Sequence, residues 1–187
     1  MAESVVIVDS IRTGLAKAHR GTFNLTRSDD LVAHCIDALL ARTSGLDPAE
    51  VDDVILGCGR QVGEQSANIA RDAVVLSSLP VSVAGTTISR ACSSGLNSIA
   101  FAANQIASGM ADVIIAGGVE SISGLSRGRE AEFAQNPRLL EEKPEIYMAM
   151  GNTAEVVARR YQVTRESQDA YALQSQQRYA AAVEEGR

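Results

Sequence analysis

Val81-Ser82-Val83-Ala84-Gly85-Thr86-Thr87-Ile88-Ser89-Arg90-Ala91-Cys92-Ser93-Ser94-Gly95-Leu96 carries a change of period that decides the fold. Val81 to Ile88 reads as a buried, β-branched strand. From Leu96 onward the apolar residues Ile99, Ala100, Ala103 and Ile106 recur at helical spacing, so a helix over Ser94 to Ala107 is expected, with Gly109 after it. Cys92 therefore lies between the end of a strand and the start of a helix. The first amides of a helix lack intrahelical partners and the dipole is positive there. A thiol at that place is favoured as thiolate, the nucleophilic form. Free cysteine is also among the most buried residue types and often only packs. Ser93, Ser94 and Gly95 are too small to wall off the sulfur, and they leave room for a substrate to approach.

Outward from that stretch, strands and helices alternate. Val5 to Val8 reads as a first strand, and Leu31 to Leu40 as a helix entered through the cap residues Ser28, Asp29 and Asp30. Ser44-Gly45 ends that helix and Asp47-Pro48 begins a turn. Val54 to Leu56 is a second strand, and Asn68 to Leu76 a helix that stops before Pro80. Val113 to Ala116 is the last strand of the series, followed by Gly117-Gly118-Val119-Glu120 as a turn or a close backbone approach. The expected fold class is α/β, with a mostly parallel sheet covered by helices.

The character changes after Glu120. Ser121 to Tyr147 lacks lasting periodicity and reads as an extended covering loop. A helix over Thr153 to Tyr161, capped by Asn152 or Thr153, and a helix from Arg165 to about Glu185, capped by Thr164, complete the chain. Two domains are expected, an α/β domain over residues 1–120 and the first part of a covering domain over residues 121–187.

The chain has 187 residues and a formal net charge of -6. That balance, without a Lys/Arg cluster, argues against a nucleic-acid partner. No apolar run approaches a membrane span, and the N-terminus lacks the pattern of a secretory signal. Three cysteines fit a reducing, cytoplasmic setting better than a disulfide framework. Cys35, on an apolar helix, and Cys58, at a strand end, read as structural. His19 and His34 read as loop and helix-face residues, and no spacing suggests a metal.

Several segments together resemble the thiolases, the acyl-CoA acetyltransferases. They are the opening strand with Arg12-Thr13, Glu64 to Arg71, Ser89 to Leu96, Gly117 to Glu120, Met150-Gly151-Asn152-Thr153-Ala154-Glu155, and Thr164 to Asp169 with Ala172 to Arg178. The likeness runs the whole chain. It implies the N-terminal half of a thiolase-like fold and the start of its substrate-covering loop domain. It implies Cys92 as the nucleophile that carries the acyl group, with the Cys92 amide as one oxyanion donor. Met150 would line the acyl pocket beside Ala149. Alanine at 149, where biosynthetic members commonly have histidine, points toward the degradative type acting on longer 3-ketoacyl chains in fatty-acid β-oxidation. Coenzyme A thioesters would be the substrates, with no metal or redox cofactor. The family's Asn-Glu-Ala-Phe, Gly-His-Pro and Cys-x-Gly segments have no counterpart here, so these residues hold the nucleophile without its base. The resemblance implies a homo-oligomer, or a partner chain carrying the C-terminal half. Two other readings are a β-ketoacyl synthase-like condensing enzyme, which would take acyl carrier protein, and a non-catalytic thiolase-like subunit or scaffold.

Overall fold

The computed structural model describes residues 4–125 and 135–186. The chain forms two compact units, residues 1–131 and 132–187. Three parallel strands organise the first: β1 (Asp53–Gly57), β2 (Ala84–Ile88) and β3 (Ile114–Gly118), in the order β2-β1-β3. Asp53 lies opposite Ala84 and Ile114, and Gly57 opposite Ile88 and Gly118, so all three strands end level at one edge.

The central strand is apolar and buried from Val54 to Leu56, as suits a strand covered on both faces. Side chains alternate along a strand. Val54 and Leu56 enter a core with Val32 and Ile36 of α1 (Ser28–Arg42) and Ala70, Ala73 and Val74 of α2 (Ile69–Leu76). Ile55 and Gly57 have the opposite parity, and on Gly57's side lies α3 (Ser94–Ala107). Its first turn comes so near that a Cβ on Gly57 would fall 2.1 Å from the carbonyl carbon of Ser94. A Cβ on Gly118 would stand 3.1 Å from the Gly95 Cα. Ser98 fixes the next turn of α3 by donating to Gly117 O at 2.5 Å. Gly117 and Gly118 are thus the last residues of β3, not a turn.

The helix and strand spans within the sheet agree with the sequence reading, with three corrections. Val5–Val8 is extended but belongs to no strand, and Val6, Ile7 and Val8 are 72%, 80% and 78% exposed. A strand exists through pairing of its backbone groups, and among the described residues none pairs with this segment. Second, β2 starts at Ala84 and is half-exposed at the sheet edge, not buried from Val81. The Arg71 guanidinium donates to Val81 O at 2.9 Å and Val83 O at 2.6 Å, and Val83 N donates to Pro80 O, so a side chain and a turn, not a neighbouring strand, engage these backbone groups. Third, α1 is not capped by its own Ser28. Arg27 occupies the cap position without a side-chain bond. Glu64, from the 3₁₀ turn Gly63–Gln65, accepts from Ser28 N and Oγ. Asn68 does cap α2, accepting from Arg71 N.

Past β3, the stretch expected as an extended loop contains α4 (Ile122–Leu125), α5 (Pro137–Glu142) and a 3₁₀ turn, Pro144–Tyr147. Residues 126–134 of that stretch lie outside the described residues. Local caps start these pieces: Asn136 accepts from Arg138 N and Leu139 N, and Pro137 stands at the first helical position. α6 (Met150–Arg160) begins at Met150, three residues before the expected Thr153, with Ala149 in the cap position. The Thr153 hydroxyl instead donates back to Ala149 O. α7 (Arg165–Glu184) starts as expected, with Thr164 accepting from Ser167 N and Arg165 paired to Asp169.

Cys58 directly follows β1 and is fully buried. Burial first, and then the Glu120 carboxylate, push its thiol up to about 11. The folded protein therefore keeps this thiol neutral where the unfolded chain, ionising near 9.0, has lost the proton. The resulting contribution to stability is fully present below pH 9 and is lost as pH rises toward 11. We expect the stability gap between wild type and Cys58→Ala, read as urea midpoints, to narrow over that range; a constant gap contradicts the assignment. The close approach at Gly57 makes a second prediction. Gly57→Ala destabilises by about 3 kcal/mol, the upper end for overpacking. Gly117→Ala, whose Cβ meets nothing within 4 Å, changes the urea midpoint far less. Equal losses would show that the seating of α3 does not depend on the missing Cβ.

Candidate active site

In open parallel sheets, ligands bind beyond the carboxyl ends of the strands. That edge gathers the segments after β1, β2 and β3. Five residues, Ser89 to Ser93, connect β2 to α3. Ala91 has φ +47, a left-handed conformation that costs a non-glycine residue of the order of 1–2 kcal/mol. This sharp bend places Cys92 immediately before the cap residue of α3, Ser93. Cys92 is exposed, Cys35 half-buried and Cys58 buried.

Ser94 braces the bend. Its buried hydroxyl accepts from Arg90 N at 2.7 Å and donates to Ala91 O at 2.6 Å. Ser93 Oγ donates to Arg90 O at 2.9 Å. The amides of Ser93 and Ser94 donate to Arg90 O and Ala91 O. Two of the amides expected to be unpartnered at this helix start are thus committed to the turn, which fixes the backbone on both sides of Cys92.

The turn rests on the end of β1. Cys58 N donates to Ile88 O at 2.9 Å, and Ser89 Oγ donates to Gly59 O at 3.4 Å. A Cβ on Gly59 would lie 2.7 Å from Glu120 Oε2 and 3.2 Å from Ala91 O, so glycine admits both neighbours. Glu120 Oε2 accepts from Gly59 N at 2.8 Å, and Glu120 Oε1 accepts from Gln65 Nε2 at 2.7 Å. Gln65, 0% exposed, also donates to Arg60 O and accepts from Ser121 N. These bonds link the residues after β1 to those after β3.

Burial raises the thiol of Cys35 as it does that of Cys58. Both suit packing better than nucleophilic work. Beside Glu120, a cleft of about 160 Å³ lies between Thr13–Ala18 and Ser121–Ser123, with Phe23 and Asn24 in its wall; Cys92 does not line it. Among the described residues, no group of three His, Cys, Asp or Glu is placed to hold a metal, and no helix is long and apolar enough to cross a membrane. Ala149 and Met150 stand at the exposed start of α6, in the second unit.

The place of Cys92 is legible in the sequence, whereas the hydrogen bonds made by Ser94, Gln65 and Glu120 are not. Ser94 and Glu120 were visible as neighbours within their motifs. Gln65 carries no local signal, because its partners lie up to 56 residues away.

The match to a family model for the thiolase N-terminal domain covers residues 5–187. A 3-ketoacyl-CoA thiolase of Bacillus subtilis (strain 168) is 44% identical over 185 residues, which cover 99% of this chain and 47% of that protein. A 3-oxoadipyl-CoA/3-oxo-5,6-dehydrosuberyl-CoA thiolase of Escherichia coli (strain K12) is 42% identical, with 96% and 48% covered. The crystal structure of the Bacillus anthracis acetyl-CoA acetyltransferase superposes with a TM-score of 0.73 at 35% identity, covering 89% of this chain and 44% of that one. The chain spans about half the length of these relatives. With a parallel sheet, a cysteine on a braced turn before α3 and a family match along nearly all its residues, the chain belongs to the thiolase family and corresponds to its N-terminal domain.

Proposed function

We propose that Cys92 is the acyl-accepting nucleophile of a coenzyme A-dependent acyltransferase. The observation that carries this reading is the exposed thiol on a strained, doubly braced turn at the carboxyl edge of the sheet. In thiolytic cleavage, the Cys92 sulfur attacks the 3-keto carbonyl of a 3-ketoacyl-CoA. The carbon–carbon bond to the acetyl-CoA portion breaks, and that carbanion takes up a proton and leaves as acetyl-CoA. The acyl group remains as a thioester on Cys92 until the thiol of a second coenzyme A displaces it. In the condensing direction, an acetyl group on Cys92 is attacked by the carbanion of a second acetyl-CoA. The Cys92 amide serves as one oxyanion donor. The relatives named 3-ketoacyl-CoA thiolase support a 3-ketoacyl-CoA substrate; the degradative direction in β-oxidation enters on the family resemblance, and the cytoplasmic setting on the cysteine usage. Met150 and Ala149 enter as substrate-contacting residues on the family resemblance alone.

The base that activates Cys92 and the second, acid/base cysteine belong to segments these residues lack. On this reading the remainder of a longer chain, or a partner chain carrying the C-terminal half, supplies them, within a homo-oligomer. A nucleophile without its base loses most of its advantage.

Iodoacetamide near neutral pH is expected to label Cys92 well ahead of Cys35 and Cys58 in peptide mapping. Equal and slow labelling of all three would favour a non-catalytic subunit. With acetyl-CoA, we expect an acetyl thioester on Cys92 in acid-quenched material, absent from Cys92→Ala; acetylation elsewhere only would remove the assignment. Steady-state thiolysis of acetoacetyl-CoA by these 187 residues alone should be negligible. Turnover on the order of 1 s⁻¹ or faster, ordinary for an enzyme, would show that the site is complete without a further segment.

A further inference from the structure

We propose that Gln65 and Glu120 form a positioning pair that holds the Cys92 turn in register with α3. The inference rests on the reading of Cys92 as the nucleophile and adds to it the residues that set its place.

Nothing in the turn itself fixes its height above the sheet. The braces from Ser93 and Ser94 are internal, joining residues 90 and 91 to 93 and 94. Behind the turn, the start of α3 is seated on Gly57 and Gly118; ahead of it, contact with the rest of the domain comes through Gly59, which accepts the Ser89 hydroxyl and lies against Ala91 O. Gly59 is in turn held by Glu120, whose carboxylate takes the Gly59 amide on one oxygen and Gln65 Nε2 on the other. Gln65 anchors that carboxylate to the interior. Its amide group, with no exposure to solvent, donates to Arg60 O and Glu120 Oε1 and accepts from Ser121 N.

A buried side-chain amide with donors and acceptor all engaged is a rigid element, since releasing any one leaves an unpaired polar group in the core. Gln65 therefore sets the spacing between the segments after β1 and β3. Glu120 transmits that spacing to Gly59, and Gly59 to the residues just before Cys92. The pair touches no reacting atom in this account and acts only through the turn.

The test compares two uncharged variants, so that loss of the carboxylate's charge is common to both. Glu120→Gln keeps an oxygen for the Gly59 amide but turns an N–H donor toward Gln65 Nε2; Glu120→Ala keeps neither bond. The readout is the iodoacetamide rate constant of Cys92 near neutral pH, with thermal midpoints measured alongside. Glu120→Gln, which keeps the bond to Gly59 and loses the one to Gln65, should react at a rate between wild type and Glu120→Ala. Glu120→Ala should react about fivefold slower than Glu120→Gln, as the thiol loses its alignment with the helix start. Gln65→Met, similar in volume but unable to hold Glu120, should show the same slowing and serves if Glu120→Ala does not fold. Superimposable Cys92 rates in all variants, whatever their thermal midpoints, would reduce the pair to ordinary stabilisation and overturn the proposal. Equal slowing in Glu120→Gln and Glu120→Ala would also overturn it, because positioning by the Gly59 bond predicts partial rescue. If wild-type Cys92 reacts no faster than Cys35 and Cys58, the nucleophile reading itself fails, which is a different result.

Discussion

The backbone of α3 lies directly on the ends of β1 and β3, and the rest of the first unit depends on that contact. It is possible because Gly57, Gly95 and Gly118 meet without side chains. Packed layers normally stand apart by the thickness of the intervening side chains, about 10 Å for stacked sheets. Removing the Cβ atoms lets the first turn of α3 descend to the strand ends. The turn from β2 must then be short and sharp, which is why Ala91 accepts a positive φ. A strained residue persists where its surroundings over-determine it, and the Ser94 hydroxyl bonds supply that constraint.

The site follows from two kinds of force acting at different depths. Apolar burial on the α1/α2 face, through Ile36, Val54 and Val74, fixes the sheet. Polar bonds fix its carboxyl edge, where Arg60, Gly59, Glu120 and Ser121 converge on the side chain of Gln65 or on one another. Hydrophobic contact is non-directional and would tolerate small shifts of the edge. Hydrogen bonds do not, so the group that needs an accurate place stands above the polar layer. The same layer separates two thiols close in sequence to the strand ends. Cys58 lies under it, raised by burial and by the Glu120 charge, and Cys92 lies in solvent.

Apolar runs and stripes along the chain locate α2, α3, β1 and β3, and β-branched residues mark β2, although no residue of β2 is buried. They also place Cys92 between β2 and α3. Where they fail, a long-range polar contact prevails over local preference. Arg71 holds the carbonyls of Val81 and Val83 and shortens β2. Glu64 replaces Ser28 as the cap of α1. Val5–Val8 shows the other limit: β propensity marks a segment that suits pairing, and pairing needs a neighbour. In the second unit, the short helices after residue 134 are started by Asn136, Pro137 and Pro144, caps and prolines that a search for periodicity passes over.

By itself the sequence determined the α/β class, the order of the elements in the sheet region and the cysteine that the thiolase resemblance assigns to chemistry. Those properties are written in residues adjacent along the chain. Tertiary structure alone decided which glycines permit α3 to touch the sheet, that Gly117 and Gly118 finish a strand, and that Gln65 joins two strand ends. The partners of Gln65 at Glu120 and Ser121 lie 55 and 56 residues away, and a pairing of that span has no signature within any window of one sequence.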